Sequence, residues 1–161
     1  CLVGSEMCIR DSIDTSIFDE ILNIPGKSQC YSSTIDELDQ KLRQKEHLFL
    51  PMATILECGN HIAQIGNGTR RRGAAERFII EVRKALEGIS PFIAMLFHQE
   101  NQVQRWLDTF LEGATIGRGL GDISIIEDWN RICKRYELYR VYIWSKDKHL
   151  QGYDRIPHKS F

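Results

Sequence analysis

Apolar residues recur along this chain in two rhythms. Short unbroken runs, His47 to Leu50, Phe92 to Leu96 and Val141 to Trp144, alternate with longer stretches in which apolar side chains return every three or four positions. The long stretches predict amphipathic helices, and the short runs predict strands buried on both faces. Ile13 ends a truncated strand, and Asp14-Thr15-Ser16 offers N-caps to a helix with Ile17, Phe18, Ile21 and Leu22 on one face, ended by Pro25-Gly26. Thr34 to Gln44 carries Ile35, Leu38 and Leu42 on a second helix; after a break at Pro51, Ile55, Leu56, Ile62 and Ile65 mark a third, closed by Gly66. Gly66 to Gly73 reads as a basic loop, followed by a long helix with Ala75, Phe78, Ile79, Val82 and Leu86 and a break at Gly88 to Pro91. Phe92 to Leu96 fits a strand or a buried helix segment equally well. A helix over Gln102 to Leu111 should turn Val103, Trp106, Leu107 and Phe110 inward, and Gly117 to Gly121 forms a turn. A helix opening at Asp122 should bury Ile123, Ile126 and Ile132, and a last short helix should lie around Lys148 to Tyr153. Strands alternating with helices predict an α/β sandwich around a parallel sheet.

Four isolated acids stand where apolar runs give way to polar, helix-opening turns. They are Asp14 in Ile13-Asp14-Thr15-Ser16, Glu57 in Ala53-Thr54-Ile55-Leu56-Glu57, Asp122 in Gly121-Asp122-Ile123-Ser124, and Asp147 in Ile143-Trp144-Ser145-Lys146-Asp147. The carboxyl ends of neighbouring parallel strands open onto one crevice, the usual ligand site of an open α/β sheet. Carboxylates gathered there would make a site for a hard cation. Each acid also has a plain structural use. Thr54-x-x-Glu57 satisfies a capping box, Asp14 and Asp122 can cap helices, and Asp147 sits near a first turn, each worth about 0.3–1 kcal/mol through the helix dipole. The set is harder to explain this way, because acids brought together by folding repel and need a compensating charge.

A length of 161 residues suits one domain. No apolar stretch approaches the ~20 residues of a membrane span, which argues against a membrane partner. The formal charge of -1 gives no overall pull toward nucleic acid, so such a partner needs a local patch. The run from Leu2 to Ser12 looks like the translation of a transposase adapter used in sequencing libraries. Residues 1–12 are therefore set apart from the domain at 13–161. Without Cys1 and Cys8 there remain Cys30, Cys58 and Cys133, an odd number with no CxxC spacing, which suits reduced thiols in a cytoplasmic protein.

Taken in order, the four acidic motifs resemble those of the PIN-domain nucleases, VapC-like members in particular. Glu57 with Gly59-Asn60-His61 looks like the family's helix-borne glutamate, Gly121 to Trp129 like its third acidic motif, and Trp144 to Leu150 like its C-terminal one. The resemblance implies a three-layer α/β/α sandwich with a central, mostly parallel sheet. It also implies an endoribonuclease that hydrolyses phosphodiester bonds in single-stranded RNA, as the toxin of a toxin–antitoxin pair. Asp14, Glu57, Asp122 and Asp147 would be the catalytic, metal-binding carboxylates, with Thr15 and Ser145 orienting them or the attacking water. Mg²⁺ or Mn²⁺ is the cofactor implied; RNA, an antitoxin protein and a second copy of the chain are the partners. The family carries an apolar strand before its first aspartate, where Cys8-Ile9-Arg10-Asp11-Ser12 stands here.

Other features add less. Arg70, Arg71 and Arg72 are candidates for gripping RNA phosphate, and Arg118, beside the glycines before Asp122, is better placed. The glycine run lacks GxGxxG spacing, which argues against a dinucleotide site. His61 reads as a satisfied helix residue, and Trp106 and Trp129 as packing residues. A haloacid-dehalogenase-type phosphatase needs a second aspartate two residues after the first, where Ser16 stands. The alternative function is a catalytically silent PIN-like module that binds RNA or a partner.

Overall fold

The computed structural model describes residues 9–95 and 100–157. Its sheet has the order β3-β2-β1-β4-β5. The strands are β1 (Ile9–Ile13), β2 (His47–Pro51), β3 (Phe92–Met95), β4 (Arg140–Trp144) and β5 (Asp154–Arg155). All neighbours pair in parallel except β4 and β5. The helices are α1 (Thr15–Ile21), α2 (Tyr31–Arg43), α3 (Met52–Ala63), α4 (Gly68–Leu86), α5 (Glu100–Thr115) and α6 (Leu120–Arg135).

Alternation along each strand sorts the helices into layers. Ile13, Leu48, Leu50, Phe92 and Trp144 face one core with Ile17 and Phe18 of α1, Leu38 of α2, Cys58 and Ile62 of α3, and Ala74 of α4. On the opposite face Phe49 and Val141 pack against Ile132 and Cys133 of α6, and Ile143 against Ile125 and Ile126. Helix α5 lies outside, against α6. This is the α/β/α sandwich with a mostly parallel sheet that the sequence predicts. Cys30, Cys58 and Cys133 are free thiols. Among the described residues no helix is long and apolar enough to cross a membrane.

Several local expectations are corrected. Helix α3 starts at Met52, so Thr54 lies inside it and its hydroxyl donates to the Ile13 carbonyl at 2.8 Å instead of closing a capping box. The expected basic loop is largely the start of α4, because Asn67 caps that helix by accepting from the Arg70 amide at 2.9 Å. Phe92–Met95 is a strand, since pairing with β2 decides what its short apolar run leaves open; Leu96 lies outside the described residues. No helix forms at Lys148 to Tyr153. The Asp147 carbonyl accepts from the Leu150 and Gln151 amides in a single turn, and the Tyr153 carbonyl then takes the Ile143 amide at 2.9 Å, drawing the chain into β5. Helix α5 does not turn its stripe inward: Leu107 is 53% exposed and Val103 and Phe110 are 38% exposed, because α5 packs mainly against α6.

The central strand is the least ordinary element. Residues 9–12, whatever their origin, form most of β1, while residues 1–8 lie outside the described part. A strand buried on both faces is ordinarily apolar, yet Arg10, Asp11 and Ser12 are all buried here. The Arg10 guanidinium lies 3.6 Å from the Tyr136 ring centroid and 4.5 Å from that of Tyr139, while its Nε and the Ser12 hydroxyl have no hydrogen-bond partner among the described residues. On the other face Lys41 Nζ sits 2.9 Å from Asp11 and 3.3 Å from Glu46, and also bonds the Tyr142 hydroxyl. Two buried carboxylates thus share one ammonium, and burial drives the Asp11 carboxyl well above the ordinary carboxylate range despite Lys41.

An acid whose pKa is raised by folding weakens the fold as pH climbs above its unfolded value, near 4. Replacing Asp11 by Val leaves Lys41 and Glu46 paired one to one. It should raise the melting temperature by about 2–4 °C, equivalent to roughly 1 kcal/mol, at neutral pH and by less at pH 4. A lower melting temperature at neutral pH would mean that Lys41 needs both carboxylates.

Candidate metal centre

Strand order places the carboxyl ends of β1 and β4 side by side, with the chain passing from β1 to β2 on one side and entering β4 from α6 on the other. This is the topological switch point of the sheet. Ile13 pairs with Trp144 at the end of the register, and the Asp14 amide donates to the Trp144 carbonyl at 3.1 Å. Asp14 and Ser145 therefore leave the sheet together.

The Asp14 carboxylate is held on one side only. Its Oδ2 accepts from the Ser145 hydroxyl at 2.7 Å, the Ser16 hydroxyl at 2.8 Å and the Ser16 amide at 3.3 Å. Oδ1 accepts no hydrogen bond from the described residues. The two serines are fixed in turn: the Asp147 amide donates to Ser145 Oγ at 2.9 Å and the Lys146 amide to Ser16 Oγ at 3.0 Å. Thr15 donates to Glu57 Oε2 at 2.8 Å, tying α1 to α3. A Cβ on Gly121 would stand 3.9 Å from that same oxygen, so the Glu57 carboxylate lies against the first turn of α6.

That turn carries Asp122. The helix opens at Leu120, earlier than expected, because the Asp122 carboxylate reaches back to the Gly119 amide at 3.3 Å. Gly117, at φ +77°, makes the reversal from α5 that sets this turn in place. Burial raises the Asp122 pKa; the Gly119 amide opposes the shift, and the charges of Asp14, Asp147 and Glu57 add to it. Asp147 holds its own turn by accepting from the His149 amide at 2.8 Å.

All four acids and Thr15 line one crevice of about 450 Å³. Among the described residues no three acidic, histidine or cysteine side chains stand close enough to form a closed metal site. The carboxylates face a common space rather than a common point. Of the basic candidates, Arg70 lines a separate cleft with Asn23, Pro25 and Arg77, Arg71 donates to the Ile65 carbonyl, and Arg72 pairs with Glu76. The Arg118 guanidinium lies 5.9 Å from the Tyr153 ring centroid, and Arg118 is not among the residues lining the acidic crevice. Trp129 packs on Tyr153 as expected and donates to the Val141 carbonyl, while Trp106 lines an open cleft.

Sequence reasoning missed a second charged layer in the crevice. Glu20 is 2% exposed; it accepts from the Ser28 hydroxyl and the Gln29 and Cys30 amides and pairs with Lys146. Burial pushes its carboxyl up, but Lys146 and these donors outweigh that and bring it down to about 2. Glu20 lies six positions beyond Asp14, a spacing that carries no signal in the sequence. The Asp19 carboxylate is hydrogen-bonded to His61 Nδ1 at 2.5 Å, which agrees with reading His61 as a satisfied helix residue.

The architecture is PIN-like. No family model matches the chain, and no curated protein does. Two solved structures share the fold: FitAcB from Neisseria gonorrhoeae, with a TM-score of 0.54 and 16% identity over 85% of this chain and 87% of that one, and FitAB bound to an IR36 DNA fragment, with a TM-score of 0.56 and 17% identity over 88% of each chain.

The raised Asp122 pKa means that the folded chain binds more protons there than the unfolded one, so stability is lost as pH rises above the unfolded value. Asp122→Asn should therefore raise the melting temperature in chelator at neutral pH, the amide keeping the bond from Gly119. Millimolar Mn²⁺ should raise the melting temperature of the parent more than that of the variant. Equal shifts, or none, would leave Asp14 and Asp122 as helix caps and the four acids without a metal.

Proposed function

We propose that this chain is a metal-dependent endoribonuclease that hydrolyses phosphodiester bonds in single-stranded RNA. The observation that carries the proposal is the convergence of Asp14, Glu57, Asp122 and Asp147 on one crevice at the switch point, where three of them press on the charge of the fourth. Helix capping alone gives no reason for four caps to share a cavity. The donor chemistry fits Mg²⁺ or Mn²⁺: every candidate is a hard carboxylate oxygen, and Asp14 keeps Oδ1 uncommitted. Mg²⁺ is commonly held by one or two carboxylates, with waters and substrate phosphate completing its shell, so it does not need a closed protein cage.

A divalent ion bound there would neutralise charge building on the phosphate and make water nucleophilic at neutral pH. The chain's own residues prepare the place. Ser145 and Ser16 hold Asp14 in one orientation, and Thr15 holds Glu57 against the start of α6. The Gly119 amide fixes Asp122. Lys146 is paired with Glu20, so its charge is partly spent before any substrate arrives. Arg70, in the cleft lined by Asn23 and Pro25, and Arg118 are the cations we assign to the RNA backbone, and Lys27 lines the acidic crevice itself. The family resemblance supports a toxin with an antitoxin partner in the cytoplasm. A second copy of the chain has an apolar surface to meet in Leu107 and Leu111 of α5, 53% and 79% exposed.

Incubation with labelled single-stranded RNA and Mn²⁺ tests the assignment. The parent should cleave, chelator should stop it, and Asp14→Asn and Asp122→Asn should each lower the rate by about a hundredfold or more while the circular dichroism stays that of the parent. Full activity in either variant contradicts the site. RNA binding with no cleavage by the parent would mark the chain as a silent binding module.

A further inference from the structure

Beside the acidic crevice lies a second cavity, of about 520 Å³, between α3, α5 and α6. Its walls are mostly apolar: Leu56 of α3, Val103 and Trp106 of α5, and Leu120 at the start of α6. Leu56 is 61% exposed and Leu120 39%, a poor arrangement for residues whose purpose is packing. Glu57 and Asp122 line both this cavity and the acidic crevice, so the two spaces share a wall. One polar side chain stands ready among the apolar ones. Asn60 lines the cavity, and its carboxamide makes no hydrogen bond to the described residues.

We infer that this cavity is a slot for one unpaired nucleobase of the RNA, taken up while the adjoining phosphate lies at the acids. The inference rests on the nuclease reading and deepens it. A ligand reaching from the acids into the cavity must be anionic at one end, to meet a cation there, and flat and apolar one sugar further on; a nucleotide is both. The volume falls in the range of small-molecule sites. The Trp106 indole lines the cavity together with aliphatic side chains, and stacking of a base on an aromatic side chain tolerates any base. Asn60 brings a donor and an acceptor, the pair needed to read a base edge. Recognition of unpaired RNA in general combines these two elements.

Calorimetric titration of the full chain with adenosine 5′-monophosphate and with ribose 5-phosphate, each in Mn²⁺ and in chelator, tests the slot. Neither compound is a diester, so neither is consumed. The parent in Mn²⁺ should bind the nucleotide about tenfold or more tightly than the sugar phosphate. Trp106→Ala and Leu56→Glu should each bring that ratio close to one while leaving ribose 5-phosphate affinity unchanged, which also reports that the variants fold. Equal affinities in the parent, or a preference that survives both substitutions, would overturn the slot. So would equal affinities together with a dimer in sedimentation that Leu56→Glu breaks, because the cavity would then be a protein contact. Ribose 5-phosphate affinity that chelator leaves unchanged, with the base preference kept, supports the slot and overturns the metal-dependent reading.

Discussion

Like charges brought together at a sheet edge work against the fold that gathers them. Two carboxylates ~5 Å apart at an effective dielectric of ~20 repel by roughly 3 kcal/mol, and of the lysines among the described residues lining the crevice, Lys27 and Lys146, the latter is already paired with Glu20. The rest of the site follows from holding these groups in place. Ser145 and Ser16 fix Asp14, Thr15 fixes Glu57, and the Gly119 amide fixes Asp122. Thr15, Ser16 and Ser145 follow directly on β1 and β4 at the switch point, and Gly119 stands at the start of α6. The strand order, not any one motif, is therefore what makes four scattered acids into neighbours.

The same strand order makes the central strand costly. β1 must be buried to bring Asp14 beside Trp144, and it carries Arg10, Asp11 and Ser12 into the core. The fold accommodates them with what lies nearest: tyrosine rings for Arg10 and a shared lysine for Asp11. Ser12 finds no hydrogen-bond partner among the described residues. An apolar strand in the same position would need none of these arrangements.

Much of the layout was legible in the sequence because periodicity and capping are local. The helices bearing Ile17 and Phe18 and bearing Ile123, Ile126 and Ile132, and the strands at His47 and Val141, lie where the pattern puts them. The failures share a cause, which is that tertiary partners decide what local pattern cannot. Thr54 reads as a cap until β1 supplies the Ile13 carbonyl. Lys148 to Tyr153 reads as a helix until β4 claims it. The α5 stripe reads as core, although that helix packs mainly against α6, at the outside of the sandwich. In the crevice Asp14, Asp122 and Asp147 stand at strand and helix ends as the pattern suggests, whereas Glu57 lies inside α3. Glu20 could not be found from the pattern, because the bonds that hold its charge come from Lys146 and from the loop at Ser28 to Cys30.

Direct uptake of a cation tests the account at its centre. In an electron paramagnetic resonance titration the six-line signal of free Mn²⁺ disappears as the ion is bound. The account predicts that the parent chain depletes this signal at micromolar to millimolar Mn²⁺, and that Asp14→Asn, folded as judged by circular dichroism, leaves it close to that of buffer. A parent chain that leaves the signal untouched, or an Asp14→Asn variant that depletes it equally, would contradict a metal centre built on these carboxylates.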